Sequence, residues 1–255
     1  MRILLTNDDG VRSPGLAALV AQLAASHEVT VVAPDREQSG VGHGITVRDP
    51  LRVHRVDLGG GCDAFAVSGT PADCVKIAFD ALLDCPPDLV ISGVNDGVNL
   101  GTDVLYSGTV AAAIEGCLYG AQAIAVSLDG RHAEGFAYAA RIAEALALRL
   151  AENGLPPETL LNVNVPKGAP GAVKGVRLTR LGRRRYRNVF DRRSDPRGRE
   201  YYWLAGEPVD LEIGDVTTDA AALQGGYVSI TPIRVDMTYL EGLDQLKRWE
   251  LDSLI

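Results

Sequence analysis

"MRILLTNDDGVRSPGLAALVAQLAASHEVTVVAP", residues 1–34, is the stretch from which the rest of the chain can be read. Residues 2–6, RILLT, are a short apolar run of the kind a fully buried strand requires. The polar turn Asn7-Asp8-Asp9-Gly10 ends it. GLAALVAQLAAS (15–26) then sets Ala and Leu at helical spacing, and EVTVVAP (28–34) is β-branched and stopped by proline. Strand, helix, strand over so few residues predicts a βαβ unit and hence a parallel sheet covered on both faces.

The same rhythm continues. TPADCVKIAFDALLD (70–84) opens with Thr before Pro, a helix-start signal. PDLVISG (87–93) reads as a third strand, GTVAAAIEGCLYG (108–120) as a helix and AIAVSL (123–128) as a strand. GFAYAARIAEALALRLAENG (135–154) is a long helix ending in Gly, and LLNVNVP (160–166) a further strand. The expected fold is therefore α/β: an open, mostly parallel sheet with helices on both faces. No internal repeat is visible.

Beyond Pro166 the texture changes. Residues 175–206 are arginine-rich and alternating, with SDPRGR (194–199) as a turn between two strand-like arms, which predicts a projecting β-hairpin. GYVSITPIRVDMTY (226–239) reads as a late strand pair returning to the sheet. LEGLDQLKRWELDSLI (240–255) reads as an amphipathic helical tail, with Leu243, Leu246, Trp249 and Leu254 near one face. The chain is thus expected to be one unit over 1–255: a core at 1–165, an arm region at 166–226, and returning strands with the tail at 227–255.

Composition sets bounds. The 255 residues can bury a substantial core, and 46% apolar with 23% charged residues is ordinary for a globular protein. A net charge of −8 argues against a protein that coats nucleic acid. The start lacks the pattern of a signal peptide and no run approaches a membrane span, so a cytoplasmic protein without membrane contact is expected. Cys62, Cys74, Cys85 and Cys117 show no C-x-x-C spacing, and are expected to be reduced core thiols.

In an open parallel sheet, ligands sit beyond the carboxyl ends of the strands. The first strand leaves Asn7, Asp8, Asp9 and Gly10 there. The second leaves PDREQSGVGHGIT (34–46), with Ser39, His43 and Thr46. The third leaves SGVNDGVNLGTDVLYSGT (92–109), with Asn95, Asp96, Asn99 and Asp103. Carboxylates, an amide oxygen and a hydroxyl are hard donors suited to Mg²⁺, Mn²⁺ or Ca²⁺. A competing explanation is that Asp8 or Asp9 caps the helix near Pro14. Ser107, Gly108 and Thr109 fall at a helix start, where free N–H groups and the dipole favour a phosphate oxyanion, although Ser107 or Thr109 can equally be an ordinary cap. His43 could be a general acid or a surface residue. The eight arginines from Arg183 to Arg199 could attract an anion or form a solvated face. Neither G-x-G-x-x-G nor G-x-x-x-x-G-K-[ST] occurs, which disfavours ordinary dinucleotide or P-loop binding.

TNDDG (6–10), APDREQSG (33–40), SGTPADC (68–74), DLVISGVNDGVNLGTDVLYSGTVAAA (88–113) and GYVSITPIRVDMT (226–238) together closely resemble the SurE family of 5′- and 3′-nucleotidases. The resemblance runs from residue 1 to about 240. It implies a Rossmann-like core, one divalent metal ion per subunit (Mg²⁺ or Mn²⁺) and release of inorganic phosphate from nucleoside monophosphates, with short polyphosphate as a further substrate. By position it implies Asp8, Asp9, Ser39 and Asn95 as metal ligands, with Asp8, Asp9 and Asn95 catalytic. Gly40, Asn99, Ser107, Gly108 and Thr109 would face substrate phosphate. It also implies a dimer or tetramer joined through the hairpin and tail. Asp96 departs from the commonest family pattern, which has small or apolar residues there, and adds an acid beside the metal set. Two other readings fit less well. A haloacid-dehalogenase-type phosphatase needs a D-x-D arrangement rather than adjacent Asp8 and Asp9. A receiver-like signalling module needs an Asp after the third strand, where this chain has Ser92, Gly93 and Asn95.

Overall fold

The computed structural model describes residues 1–130, 132–168, 170–187, 189–212, 214–249 and 251. β1 (Arg2–Thr6) leads through α1 (Pro14–Leu23) to β2 (Glu28–Pro34). β3 (Val53–Arg55), β4 (Asp63–Val67) and α2 (Pro71–Ile77) follow, then β5 (Leu89–Asp96), α3 (Gly108–Leu118) and β6 (Gln122–Leu128). Next come α4 (Ala133–Asn153), β7 (Thr159–Val165) and β8 (Val176–Leu178). The arm holds β9 (Arg184–Arg187), β10 (Phe190–Ser194), β11 (Glu200–Leu204) and β12 (Glu207–Asp210). α5 (Asp219–Gln224), β13 (Val228–Arg234) and α6 (Leu240–Lys247) close the order.

The main sheet runs β3-β4-β2-β1-β5-β6-β7-β13-β8. Only the β3–β4 and β13–β7 pairings in it are antiparallel. β1 is apolar at Ile3, Leu4 and Leu5 in succession because both its faces are covered. Ile3 and Leu5 enter one core with Leu16, Leu19 and Leu23 of α1 and Phe136 and Ala143 of α4. Leu4 enters the other, with Val75 of α2 and Val110 and Ala113 of α3. Gly15 lets α1 approach the sheet closely, since a Cβ there would sit 1.9 Å from the Val94 carbonyl oxygen. The chain leaves β1 for β2 on one side and returns to β5 on the other. That reversal opens a crevice at the carboxyl ends of β1 and β5, the usual place for a ligand.

The structure corrects several expectations. β3 and β4 were not foreseen, so PDLVISG lies in the fifth strand of the chain and LLNVNVP in the seventh. The helix from Thr70 keeps α-geometry only to Ile77 and widens into a π-turn at Ala78–Leu82. GYVSITPIRVDMTY holds one strand, β13, rather than a pair. Pro232 lies within it and pairs with Leu161 of β7, while β8 reaches only Val228–Ile230 on the other side. The proline therefore occupies an edge stretch where no partner needs its missing N–H. All four cysteines are free, but only Cys74 and Cys117 are buried; Cys85 is exposed and Cys62 half-buried.

The hairpin is present. β10 and β11 pair from Phe190↔Leu204 to Ser194↔Glu200, closed by the SDPRGR turn. β9 and β12 form a second ribbon beside them. Arginines of this arm meet acids of the arm itself: Arg192 with Glu200, Arg193 with Asp191 at 2.7 Å and Arg199 with Asp195 at 2.9 Å. The charges of these three are matched locally. Leu254, expected on the apolar face of the tail, lies outside the described residues. Among the described residues no helix is long and apolar enough to cross a membrane.

Candidate active site

The turn after β1 is built by Asn7, not by the aspartates. The Asn7 Nδ2 donates to the Gly10 carbonyl (3.0 Å) and to Ser13 Oγ (2.6 Å). Ser13 in turn caps α1 by accepting from the Leu16 N–H. Neither Asp8 nor Asp9 is the cap, so both carboxylates need another explanation.

Asp8 points under the start of α3. Its Oδ1 accepts from Thr109 Oγ1 at 2.6 Å and its Oδ2 from the Thr109 N–H at 3.1 Å. The residue is 5% exposed. Burial pushes its carboxyl up to about 6, and the charge of Asp9 adds to that, while the bonds from Thr109 act against it. Gly108 is required here. A Cβ on it would lie 2.9 Å from Asp8 Cβ and 3.0 Å from Pro71 Cγ. Asp9 is half-buried and accepts the Asp96 N–H on Oδ2 at 3.1 Å.

β5 supplies Asn95, whose Nδ2 donates to the Gly97 carbonyl at 2.7 Å, which leaves the amide oxygen as the group it can offer. Ser39, in the loop after β2, donates to Glu37 Oε1 at 2.7 Å. Asn99 is held through its backbone and one amide hydrogen: its N–H donates to Asn164 Oδ1, its Nδ2 to Ser127 Oγ, and its carbonyl accepts from Asn162 and Asn164. Ser107 caps α3 by accepting the Val110 N–H at 3.1 Å.

Asp8, Asp9, Ser39, Gly40, Asn95, Asn99 and Ser107 line one cleft of about 680 Å³. Gly108 and Thr109 are not part of its lining. Thr109 is fully buried with both donors committed to Asp8. His43 lies away from the cleft, with its ring against Glu115 of α3. Asp96 and Asp103 line the cleft, and Asp103 accepts from Arg184 Nη1 and the Tyr186 hydroxyl, which docks the arm on the rim.

The cleft also contains residues that sequence reasoning missed: Glu37, Tyr106, Tyr186, Val189, Leu204 and Ala205. Tyr106 directly precedes the S-G-T helix start and is 66% exposed, which gives it some local signal. The arm residues carry none, because only the docking of the arm brings them there. No group of three or more His, Cys, Asp or Glu able to hold a metal occurs among the described residues. The candidate donor set instead combines two carboxylates with an amide and a hydroxyl.

Residues 3–188 match the family described as Survival protein SurE. This chain is a member of the SurE family. A protein of Moorella thermoacetica named 5′-nucleotidase SurE is 55% identical over 239 residues, spanning 93% of this chain and 92% of its own. A protein of the same name from Heliobacterium modesticaldum is 50% identical over 250 residues, 98% of this chain and 92% of that one. The crystal structure of the SurE protein from Aquifex aeolicus superposes with a TM-score of 0.84 at 39% identity, covering 98% of this chain and all of that one. The parallel sheet with its switch between β1 and β5 is therefore a SurE fold.

Proposed function

We propose that this chain hydrolyses nucleoside 5′- and 3′-monophosphates to nucleoside and inorganic phosphate, using one bound Mg²⁺ or Mn²⁺. The observation that carries the proposal is the meeting of oxygen donors from three strand ends, Asp8 and Asp9, Ser39, and Asn95, in one cleft beside the start of α3. The names of the two SurE relatives support the substrate class.

The donor set fits a hard dication. Asp8, Asp9, Ser39 and Asn95 would hold it, and two carboxylates leave the site close to neutral, so an anionic substrate can still approach. The ion would supply Lewis-acid stabilisation of charge on the phosphoryl oxygens. Asp9, the less buried of the two, accepts the proton of the attacking water as the water–phosphorus bond forms and passes it to the leaving oxygen as the ester bond breaks. Ser107, Asn99 and the exposed Gly40 backbone bind the remaining phosphate oxygens. Gly108 and Thr109 act one layer below, by keeping Asp8 in place. Short polyphosphate is a second proposed substrate, since its terminal phosphoryl group offers the same oxygens. The apolar outer wall of Tyr106, Val189 and Leu204 suits a nucleoside. Self-association through the arm and tail into a dimer or tetramer belongs to the same proposal, as does a cytoplasmic location.

The test is phosphate release across a panel of 5′- and 3′-nucleotides, with EDTA and then Mg²⁺ or Mn²⁺ added back. Release that stops in EDTA and returns with metal is expected, and Asp9→Ala should abolish it. No release from any nucleotide in either metal would overturn the activity, and turnover indifferent to EDTA would overturn the metal.

A further inference from the structure

Glu115 sits in α3 among buried neighbours, with its side chain 5% exposed. A carboxylate in such a place is costly unless paired. Two groups pair it. Lys76 of α2 donates to Oε1 at 3.0 Å, and His43 lies 2.6 Å from Oε2. An ionised carboxylate only accepts, so His43 is the donor and carries its proton on Nε2. Burial pushes the Glu115 carboxyl up, but the hydrogen bonds from His43 and Lys76 and their charges outweigh it and hold the group below its ordinary range.

His43 belongs to the long loop between β2 and β3 that also carries Ser39 and Gly40. Loops of this length inside a compact domain usually serve function and need tethers to hold one shape. The Gln38 N–H donates to the Asp8 carbonyl at 2.7 Å, fixing the start of the segment. Its far side is held by the Gly42 N–H on the Tyr106 carbonyl, by Thr70 Oγ1 on the Gly44 carbonyl and by the Thr46 N–H on the Asp73 carboxylate. Between Gln38 and Gly42 the backbone is exposed or half-buried, and nothing lies within 4 Å of where a Gly40 Cβ would be. Ser39 and Gly40 are thus suspended between two anchorages. In the far anchorage the short bond from His43 to a buried charge is of the strongest kind.

We infer that His43 is a positioning residue, clamping the Ser39–Gly40 segment over the cleft through its bond to Glu115. The kinetic consequence rests on the proposed role of Ser39 at the metal; the clamp itself does not. His43 touches neither substrate nor ion. It acts by limiting where the Ser39 hydroxyl and the Gly40 backbone can sit.

The test compares His43→Ala, His43→Gln and Lys76→Met in the full chain, with circular dichroism to establish that each is folded. Amide exchange is read at Gly42 and Thr46, and nucleotide hydrolysis is titrated with Mn²⁺. In His43→Ala, exchange at Gly42 should be about tenfold faster and half-activation should need about tenfold more Mn²⁺, the scale of one charge-assisted bond. Turnover at saturating Mn²⁺ should stay within about threefold, because the reacting groups are intact. Gln can donate to the same carboxylate oxygen, so His43→Gln should recover most of both losses. Lys76→Met removes a partner of the buried Glu115 carboxylate and should lower the melting temperature, but it leaves the His43 bond in place, so exchange at Gly42 and Thr46 and the Mn²⁺ needed for half-activation should stay within about twofold of wild type. The inference is overturned if exchange at Gly42 and Thr46 is unchanged in His43→Ala, or if His43→Gln is as impaired as His43→Ala. A wild-type chain that released no phosphate would defeat the nucleotidase proposal, and the exchange comparison alone would then decide the clamp.

Discussion

At the scale of single residues, Asp8 sets stability against its proposed role at the metal. Its carboxyl is buried and its proton affinity is raised from the ordinary 3.8 to about 6. The native chain therefore binds this proton more tightly than the unfolded chain does. The stability this provides is complete below about pH 4 and is lost as pH rises through about 6. The difference corresponds to about 3 kcal/mol at neutral pH. Asp8→Asn can keep both bonds to Thr109 if the hydroxyl turns to accept from the new NH₂. We expect this variant, in EDTA at pH 8, to melt roughly 5 °C or more above wild type, with the gap closing towards pH 4. It should release no phosphate, and Mn²⁺ should raise the melting temperature of wild type but not of the variant. Thermal melts across pH check this, and an Asp8→Asn chain less stable than wild type at pH 8 refutes it. The acidic pair itself was legible, because two adjacent carboxylates exceed what a turn needs. The division of labour behind it was not. Asn7 as the builder of the turn and Ser13 as the cap make local contacts that Asp8 or Asp9 could equally have made, while Thr109, the holder of Asp8, lies 101 residues away, a distance no local pattern encodes.

At the scale of elements, α3 joins the two halves of the site. Its first turn holds Asp8, its cap Ser107 lines the cleft, and Glu115 one face further on holds the loop of Ser39. Gly108 makes the first of these possible, and its replacement separates two effects of opposite sign. Ala favours a helix over Gly by about 1 kcal/mol. Here, however, the added methyl meets Asp8 and Pro71 at 2.9 and 3.0 Å, so one of them must shift. Gly108→Ala is expected to lower the melting temperature and to reduce kcat/KM by about 100-fold or more, as small displacements at a reacting centre do. A variant that melts higher and keeps its activity would show that the space is softer than the geometry implies. The helices and central strands could be read from the sequence because burial on both faces gives unbroken apolar runs, and because Thr70 and Ser107 mark helix starts. β3, with three residues and two of them exposed, offers no periodicity to read. β4 is held by its parallel pairing with β2, which the five residues DAFAV do not announce by themselves. GYVSITPIRVDMTY was read as two strands, and only the strand order shows that Pro232 sits within a single one, at a position where β8 has already ended.

At the scale of the whole molecule, the arm and the tail stand out. Sequence alternation disclosed that an arm exists, but not that its base docks on Asp103 through Arg184 and Tyr186 and brings Val189 and Leu204 to the cleft. The tail poses a stability problem of its own. α6 spans only eight residues and buries none of them, and a helix so short is marginal in water without a packed face. Leu240, Leu243, Leu246 and Trp249 are 62%, 48%, 39% and 62% exposed, while Phe190, Trp203 and Leu204 stand out from the arm. Two-stranded ribbons like β10–β11 are likewise marginal when isolated, and contiguous exposed apolar patches mark contact surfaces. A second copy of the chain would cover both, consistent with the proposed dimer or tetramer. Light scattering at micromolar concentration should give wild type the mass of two or four chains. Leu243→Asp with Trp249→Asp should reduce that mass, because burying two carboxylates costs more than the contact returns. The core would stay folded, as α6 adds nothing to either apolar cluster. Nucleotide hydrolysis should persist wherever Val189 and Leu204 keep their place at the cleft, and circular dichroism with a phosphate-release assay on the smaller species measures both. A wild-type chain that runs as a monomer, or a doubly substituted chain of unchanged mass, would show that these apolar faces are not where copies meet.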